Sequence, residues 1–70
     1  MVEVFKTNIA DFFTAEKLQA ELLKILPNSI INFDLEDCDK IMRIESETIN
    51  KPNIISAFKN YGYSCEELPD

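Results

Sequence analysis

The sequence predicts a small α+β fold whose strands and helices follow one another in the order β-α-β-β-α-β. Three observations lead to this prediction. Apolar residues spaced three and four apart mark two helices. Apolar and polar residues that alternate mark a strand hairpin between those helices. A short β-prone run precedes the first helix, and another follows the second helix.

The first strand and the first helix occupy the N-terminal third of the chain. Residues 2–9 place Val2, Val4, Phe5 and Ile9 among polar neighbours, which is typical of a strand. Thr14 is the predicted N-cap of the helix, because its hydroxyl can accept a hydrogen bond from a free backbone amide of the first turn. The predicted apolar stripe of this helix consists of Ala15, Leu18, Leu22, Ile25 and Leu26. Pro27 and Asn28 end it.

The predicted hairpin begins at Ile31, where the apolar period changes to two. Phe33 and Leu35 share the inward face of its first strand. Residues 37–40 are polar and supply the turn. Residues 41–45 form its second strand, whose predicted inward pair is Met42 and Ile44.

The second helix is bounded by a proline and the only glycine. Pro52 suits its first turn, because the amide hydrogen that proline lacks would have no helical partner there. Gly62 suits its C-terminus, where a left-handed backbone closes a helix. Residues 63–68 form the predicted last strand, which Pro69 ends. The predicted apolar stripe of the helix is Ile54, Ile55, Phe58 and Tyr61.

Together these elements predict a ferredoxin-like sandwich, in which two helices cover one face of a four-stranded antiparallel sheet. Residues 1–70 are expected to form a single domain, since 70 residues support one core. No stretch approaches the apolar length of a membrane span, and no basic segment leads into a long apolar one at the start. We therefore expect a soluble, cytoplasmic protein.

The charge balance bears on possible partners. Seven lysines and arginines stand against 13 aspartates and glutamates, so the net charge is −6. This charge repels nucleic acid and anionic lipid head groups, which predicts neither a nucleic-acid nor a membrane partner. A protein partner, if there is one, is expected to be basic. The alternative is that the acidic excess only keeps a small domain soluble.

The residue inventory argues against an enzyme and predicts no cofactor. The chain contains no histidine, which removes the usual general base and the commonest nitrogen ligand for zinc or copper. It also lacks a glycine-rich phosphate loop and a paired nucleophile and base. Its two cysteines, Cys38 and Cys65, are too few for a secreted disulfide framework, and we expect reduced thiols.

Three segments occur in order along the chain: the helix end LLKILP at residues 22–27, the strand FDLE at residues 33–36, and AFKNYGYSC at residues 57–65. Together they resemble heavy-metal-associated domains. That family typically has a leucine-proline helix end, a hydrophobic-x-Leu-Glu strand, and a Gly-Tyr or Gly-Phe pair followed by a small buried residue. The resemblance spans nearly the whole chain and implies the same ferredoxin-like fold.

The chain departs from this family at the residues that bind metal. The family's first loop carries Cys-x-x-Cys, whose thiolates bind soft ions. Phe12 and Ala15 stand approximately at those two positions here, and neither is a metal ligand. Phe12 and Phe13 have two interpretations, a plug for the core or an exposed hydrophobic recognition spot. Tyr63 matches the family's aromatic residue beside the metal loop and could pack over either phenylalanine.

The cysteines and an acidic turn are weak candidates for a metal site. Cys65 corresponds to the family's small buried position and is expected in the core. Cys38 lies in the polar turn between Asp37 and Asp39, whose charges disfavour a thiolate, so we do not expect a reactive nucleophile. Read as a calcium loop starting at Asp34, the segment fails, since its sixth position is Asp39 where glycine is required.

Two function classes remain after the enzyme class is set aside. The first is a protein-interaction module that kept the fold and lost the metal motif, with Phe12, Phe13, Cys38 and Tyr63 as its candidate surface. The second is heavy-metal binding or transfer, as in a metallochaperone, through a site such as Cys38 or Cys65. Because strands and helices alternate in direction, we expect the first loop, the turn around Cys38 and the Gly62 loop to lie at one end of the fold.

Overall fold

A computed structural model describes residues 1–68 of the chain. The elements are β1 (Val2–Thr7), α1 (Phe12–Ile25), β2 (Ile30–Asp34), β3 (Ile41–Glu45), α2 (Lys51–Asn60) and β4 (Cys65–Glu67). The strands form one antiparallel sheet in the order β2-β3-β1-β4. The predicted ferredoxin-like α+β fold is confirmed.

The core lies between the two helices and the inner face of the sheet. The register pairs Phe5 with Met42 across β1 and β3, and it pairs Ile31 with Ile44 across β2 and β3. All four side chains are buried, which confirms the predicted inward pair Met42 and Ile44. Each such residue contributes about 1.5–3 kcal/mol of transfer free energy on burial. The helices add Ala15, Leu18, Leu22, Ile54, Ala57 and Phe58 to this core.

The first helix begins before the predicted start. Thr14 is not its N-cap; Asp11 is, and its side chain accepts a hydrogen bond from the Thr14 backbone N–H at 2.8 Å. The Thr14 hydroxyl donates to the other Asp11 carboxylate oxygen at 3.2 Å. Aspartate is a strong N-cap, and its charge also suits the positive end of the helix dipole. The extra turn therefore places Phe12 and Phe13 on the helix.

Three residues of the predicted apolar stripes lie outside the core. Ile25, the last residue of α1, is 44% exposed, and Ile55 is 37% exposed. Tyr61 is the C-cap of α2 and is also exposed, with the Lys17 ammonium 5.8 Å from its ring centroid. Ala57 takes the buried position that Ile55 was expected to take, because a helix advances about 100° per residue and Ala57 follows Ile54 on the same face.

Three strands begin or end inside their predicted limits. β1 ends at Thr7, although Ile9 beyond it is still buried. β2 ends at Asp34, so the buried Leu35 belongs to the β2–β3 turn and not to the strand. β4 is confined to Cys65–Glu67, and the predicted stop at Pro69 lies outside the described residues.

The second helix ends and begins as predicted. Pro52 lies in its first turn, and Gly62 has a φ of +82°, in the left-handed region that glycine enters without a Cβ clash. At the other end, the Lys51 ammonium lies 2.8 Å from Glu67 and 3.7 Å from Glu3. This lysine therefore ties the start of α2 to β1 and β4. Neither helix of the described residues is long and apolar enough to span a membrane.

Adjacent isoleucines in α2 provide a matched test of the packing. Ile54 is fully buried and Ile55 is not, so Ile54→Ala should lower the free energy of unfolding by about 2–5 kcal/mol and Ile55→Ala by less than about 1 kcal/mol. Urea denaturation followed by circular dichroism measures both. If Ile54→Ala does not fold, Ile54→Val should still cost about 0.5–1.5 kcal/mol. Equal losses at the two positions would contradict the placement of the α2 stripe.

Candidate functional site

Three loops meet at one end of the sandwich, as the alternating element directions predict. We define the loop end as residues 8–13, 35–40 and 61–64, which are the β1–α1 connection with the first two residues of α1, the β2–β3 turn and the α2–β4 connection. The opposite end carries the connections that follow α1 and β3. Of the candidate site residues that the sequence predicted, Phe12, Phe13, Cys38 and Tyr63 lie at the loop end, and Cys65 does not.

Two side chains of the β1 terminus hold the three loops together. The buried Thr7 hydroxyl donates to the Lys40 carbonyl at 2.6 Å and accepts from the Ile9 backbone N–H at 3.2 Å. The Asn8 side-chain oxygen accepts from the Ser64 backbone N–H at 2.9 Å. Thr7 thus links the end of β1 to the β2–β3 turn, and Asn8 links it to the α2–β4 connection. These bonds fix the relative positions of the loops.

The phenylalanine pair is the most exposed large apolar feature of the loop end. Phe12 is 65% exposed and Phe13 is 80% exposed. Helical geometry explains the exposure of Phe13, which at about 100° per residue points about 160° away from the buried Ala15. Phe12 is the first residue of α1. The interpretation of these residues as a core plug is therefore wrong, and they stand as an exposed pair.

Tyr63 behaves differently from the phenylalanine pair. Its side chain is half-buried and packs against the hydrophobic core. Its backbone N–H donates to the Phe58 carbonyl at 2.9 Å, which anchors the chain after Gly62. Tyr63 therefore packs the loop end against the hydrophobic core, whereas Phe12 and Phe13 present their rings to solvent.

The charges of the loop end are mostly negative. Its three segments contain Asp11, Glu36, Asp37 and Asp39 but only one basic residue, Lys40. The Lys40 ammonium donates to the Leu35 carbonyl at 3.0 Å. From β1, Lys6 lies 3.7 Å from Asp39, an exposed pair that solvent screens. The exposed rings therefore share this end with an acidic surface.

The structure separates the two cysteines. Cys38 is exposed in the β2–β3 turn, and Cys65 is buried at the start of β4. β1 lies between β3 and β4 in the sheet, as the usual strand order predicts. Burial raises the pKa of the Cys65 thiol to about 12. Cys65 is therefore a protonated core residue near neutral pH.

Cys38 has two carboxylates beside it. Ligand atoms of Asp37, Cys38 and Asp39 lie within 4.8 Å of one another. An oxygen of Asp37 already accepts a hydrogen bond from the Asp39 backbone N–H at 2.8 Å, which is the bond of a turn. The cluster offers one soft and two hard donors, all on a solvent-accessible turn.

The sequence did not reveal an open groove at the opposite end of the fold. It has a volume of about 610 Å³ and lies between the end of α1 and the start of α2. The position of Ile25 near the end of the predicted α1 stripe was the available signal, since an apolar residue at the end of an amphipathic stripe can project past the core. The residues that line the groove include Ile25, Leu26, Ile49 and Pro52.

Comparisons of the chain with protein-family models, with curated proteins and with solved structures gave no significant match. The resemblance to heavy-metal-associated domains therefore stays a prediction from the motifs.

The two thiols should differ sharply in reactivity. We expect Cys38 to react with a disulfide reagent faster than Cys65 in the native protein at pH 8, because Cys38 is exposed. Cys65 should react only on unfolding, because it is buried and its pKa is raised to about 12. A colorimetric thiol assay should therefore show one fast thiol in the native protein and two in denaturant.

Two variants assign the phases of this assay. Cys38→Ser should abolish the fast phase, and Cys65→Ala should leave it intact. A fast phase that persists in Cys38→Ser would contradict the burial of Cys65.

Proposed function

We propose that this protein is an interaction module that binds a basic segment of another protein through its loop end. We also propose that it is a heavy-metal-associated-like domain that has lost the metal motif. The exposure of Phe12 and Phe13, at 65% and 80%, carries the proposal. A 70-residue domain has little stability to spare, so two uncovered phenylalanines in one turn are unfavourable unless a partner covers them.

The local structure suits these rings to binding. Large aromatic side chains that become buried are the residues that most often dominate binding energy at protein interfaces. Asp11 caps the helix through hydrogen bonds to the Thr14 backbone and hydroxyl, so the backbone that carries Phe12 and Phe13 is already ordered. Order before binding lowers the entropy cost of association.

The surrounding charge selects the kind of partner. Four carboxylates and one lysine occupy the loop end, and the whole chain has a net charge of −6. A lysine- or arginine-rich segment would be attracted at long range, while an acidic one would be repelled. Such a segment also needs apolar side chains to cover the two rings. The partner chemistry is therefore a basic segment with apolar anchors.

Selection from a displayed library of random peptides tests this proposal without a known partner. We expect the selected peptides to be basic and to carry apolar anchors, and their binding should weaken as salt concentration rises. The double variant Phe12→Ser, Phe13→Ser should weaken their binding at least about tenfold, because truncated anchor residues cost more than about 1 kcal/mol each. Isothermal titration calorimetry measures the affinities.

A matched control removes apolar surface elsewhere. The variant Ile25→Ser, Ile55→Ser replaces two exposed isoleucines that lie outside the loop end, and it should bind the selected peptides as the parent does. Both variants should remain folded by circular dichroism. Peptides that bind the phenylalanine double variant as tightly as the parent would refute the proposed site.

A second candidate function, metal binding at the β2–β3 turn, is favoured by one observation. The ligand atoms of Asp37, Cys38 and Asp39 are close enough to share an ion. Against it, an exposed turn gives no shielding from water, and the chain has no histidine to complete a zinc or copper set. This candidate would restore the metal-handling role that the family resemblance implies.

A metal titration separates the two candidates. The reduced protein is titrated with copper(I) and with zinc(II) against a competing chelator. An interaction module should lose the metal to the chelator. Stoichiometric binding that survives the chelator, disappears in Cys38→Ser and persists in Cys65→Ala would instead establish a metal site at the turn.

A further inference from the structure

The outer edge of β2 (Ile30–Asp34) carries backbone groups that no element among residues 1–68 pairs. β2 is the terminal strand of the sheet and pairs only with β3. Edge strands are commonly protected by lysine, proline or a bulge. The strand IINFD contains none of these residues and pairs with β3 without a bulge; its one charge is Asp34, at its end. This edge is therefore open to pairing.

The hydrogen-bond pattern identifies the free groups. Met1 and Ser46 exchange two backbone hydrogen bonds, and the Thr7 N–H donates to the Lys40 carbonyl. Hydrogen-bonded and non-hydrogen-bonded pairs alternate along an antiparallel ladder, so the backbone groups of Met42 and Ile44 bond to β1. The backbone groups of their neighbours in β3 then bond to β2. Asn32 and Asp34 therefore bond to β3. The N–H and C=O groups of Ile31 and Phe33 point outward.

We propose that a second copy of this chain pairs with this edge, β2 against β2, to give a two-fold symmetric dimer with a continuous eight-stranded sheet. The strands run antiparallel, with the two-fold axis beside Asn32. Ile31 of each copy then exchanges hydrogen bonds with Phe33 of the other. Each strand supplies two outward N–H groups, so the seam contains four backbone hydrogen bonds.

The side chains at this seam are complementary in the proposed register. On the helix side, the half-buried Phe33 meets Ile31 of the other copy, an aromatic and β-branched pair that favours strand pairing. On the open side, the exposed Ile30 lies opposite Asp34, so no like charges face each other. Asn32 of one copy faces Asn32 of the other, and the two side-chain amides can donate to and accept from each other. The axis is therefore a self-complementary contact.

The other edge of the sheet does not permit the same pairing. β4 has only three residues, Cys65–Glu67, and two of them are glutamates. An antiparallel β4 pair would place Glu66 directly opposite itself, which is unfavourable. Self-association through the sheet therefore selects β2. Because the two β2 strands run in opposite directions, the two loop ends would lie at opposite ends of the dimer and stay free.

Sedimentation equilibrium at rising protein concentration tests the dimer. We expect a reversible monomer–dimer equilibrium that strengthens with salt, since each copy has a net charge of −6 and salt screens their repulsion. Asn32→Asp should weaken association at least about tenfold, because it places two carboxylates at the axis. The same substitution leaves the monomer intact, since Asn32 is exposed and pairs with Arg43.

A matched control and a second measurement complete the test. Asn53→Asp makes the same charge change on the exposed face of α2 and should leave association unchanged. In the parent, hydrogen exchange at the Ile31 and Phe33 amides should slow as concentration rises, while the Asn32 and Asp34 amides are protected at every concentration. A chain that stays monomeric at about 1 mM in high salt, or a dimer that Asn32→Asp does not weaken, would overturn the proposal.

Discussion

The structure depends on the pairing of β1 along both of its edges. β3 bonds to one side of this strand and β4 to the other, so β1 joins the β2–β3 hairpin to β4. Three features follow from this position. The Cys38 turn and the Cys65 strand are kept apart, β2 and β4 become the edges, and the residues after β1 lie between the two other loops of the loop end. Thr7 and Asn8 can bond to both of those loops for that reason.

The loop end combines two features that a small domain would not keep for stability alone. Phe12 and Phe13 bury little of their area, so they contribute little to the free energy of folding. The neighbouring carboxylates repel one another within the folded state. Both features become favourable when a basic, partly apolar segment covers them. The proposed binding function thus accounts for the composition and the exposure together, whereas solubility accounts only for the charge.

Sequence periodicity predicted the elements well and their ends less well. The hairpin strand Ile41–Glu45 and its inward pair follow from the period of two, which has a single solution once one face is buried. Thr14 was predicted as the N-cap because threonine and aspartate both suit this position, and Asp11 stands only three residues before Thr14. Ile55 was placed in the core because its neighbour Ile54 is there, and only the contact of α2 with the sheet distinguishes them.

The fold class, the order of the elements and the acidic character of the chain follow from the amino-acid sequence alone. Local periodicity and composition encode these properties, and no knowledge of distant contacts is needed to derive them. Three other features are visible only in the folded chain: the exposure of Phe12 and Phe13, the bonds of Thr7 and Asn8 to the other loops, and the outward direction of the free backbone groups of Ile31 and Phe33. Each of these depends on where a residue stands relative to elements distant in sequence, which a local pattern does not contain.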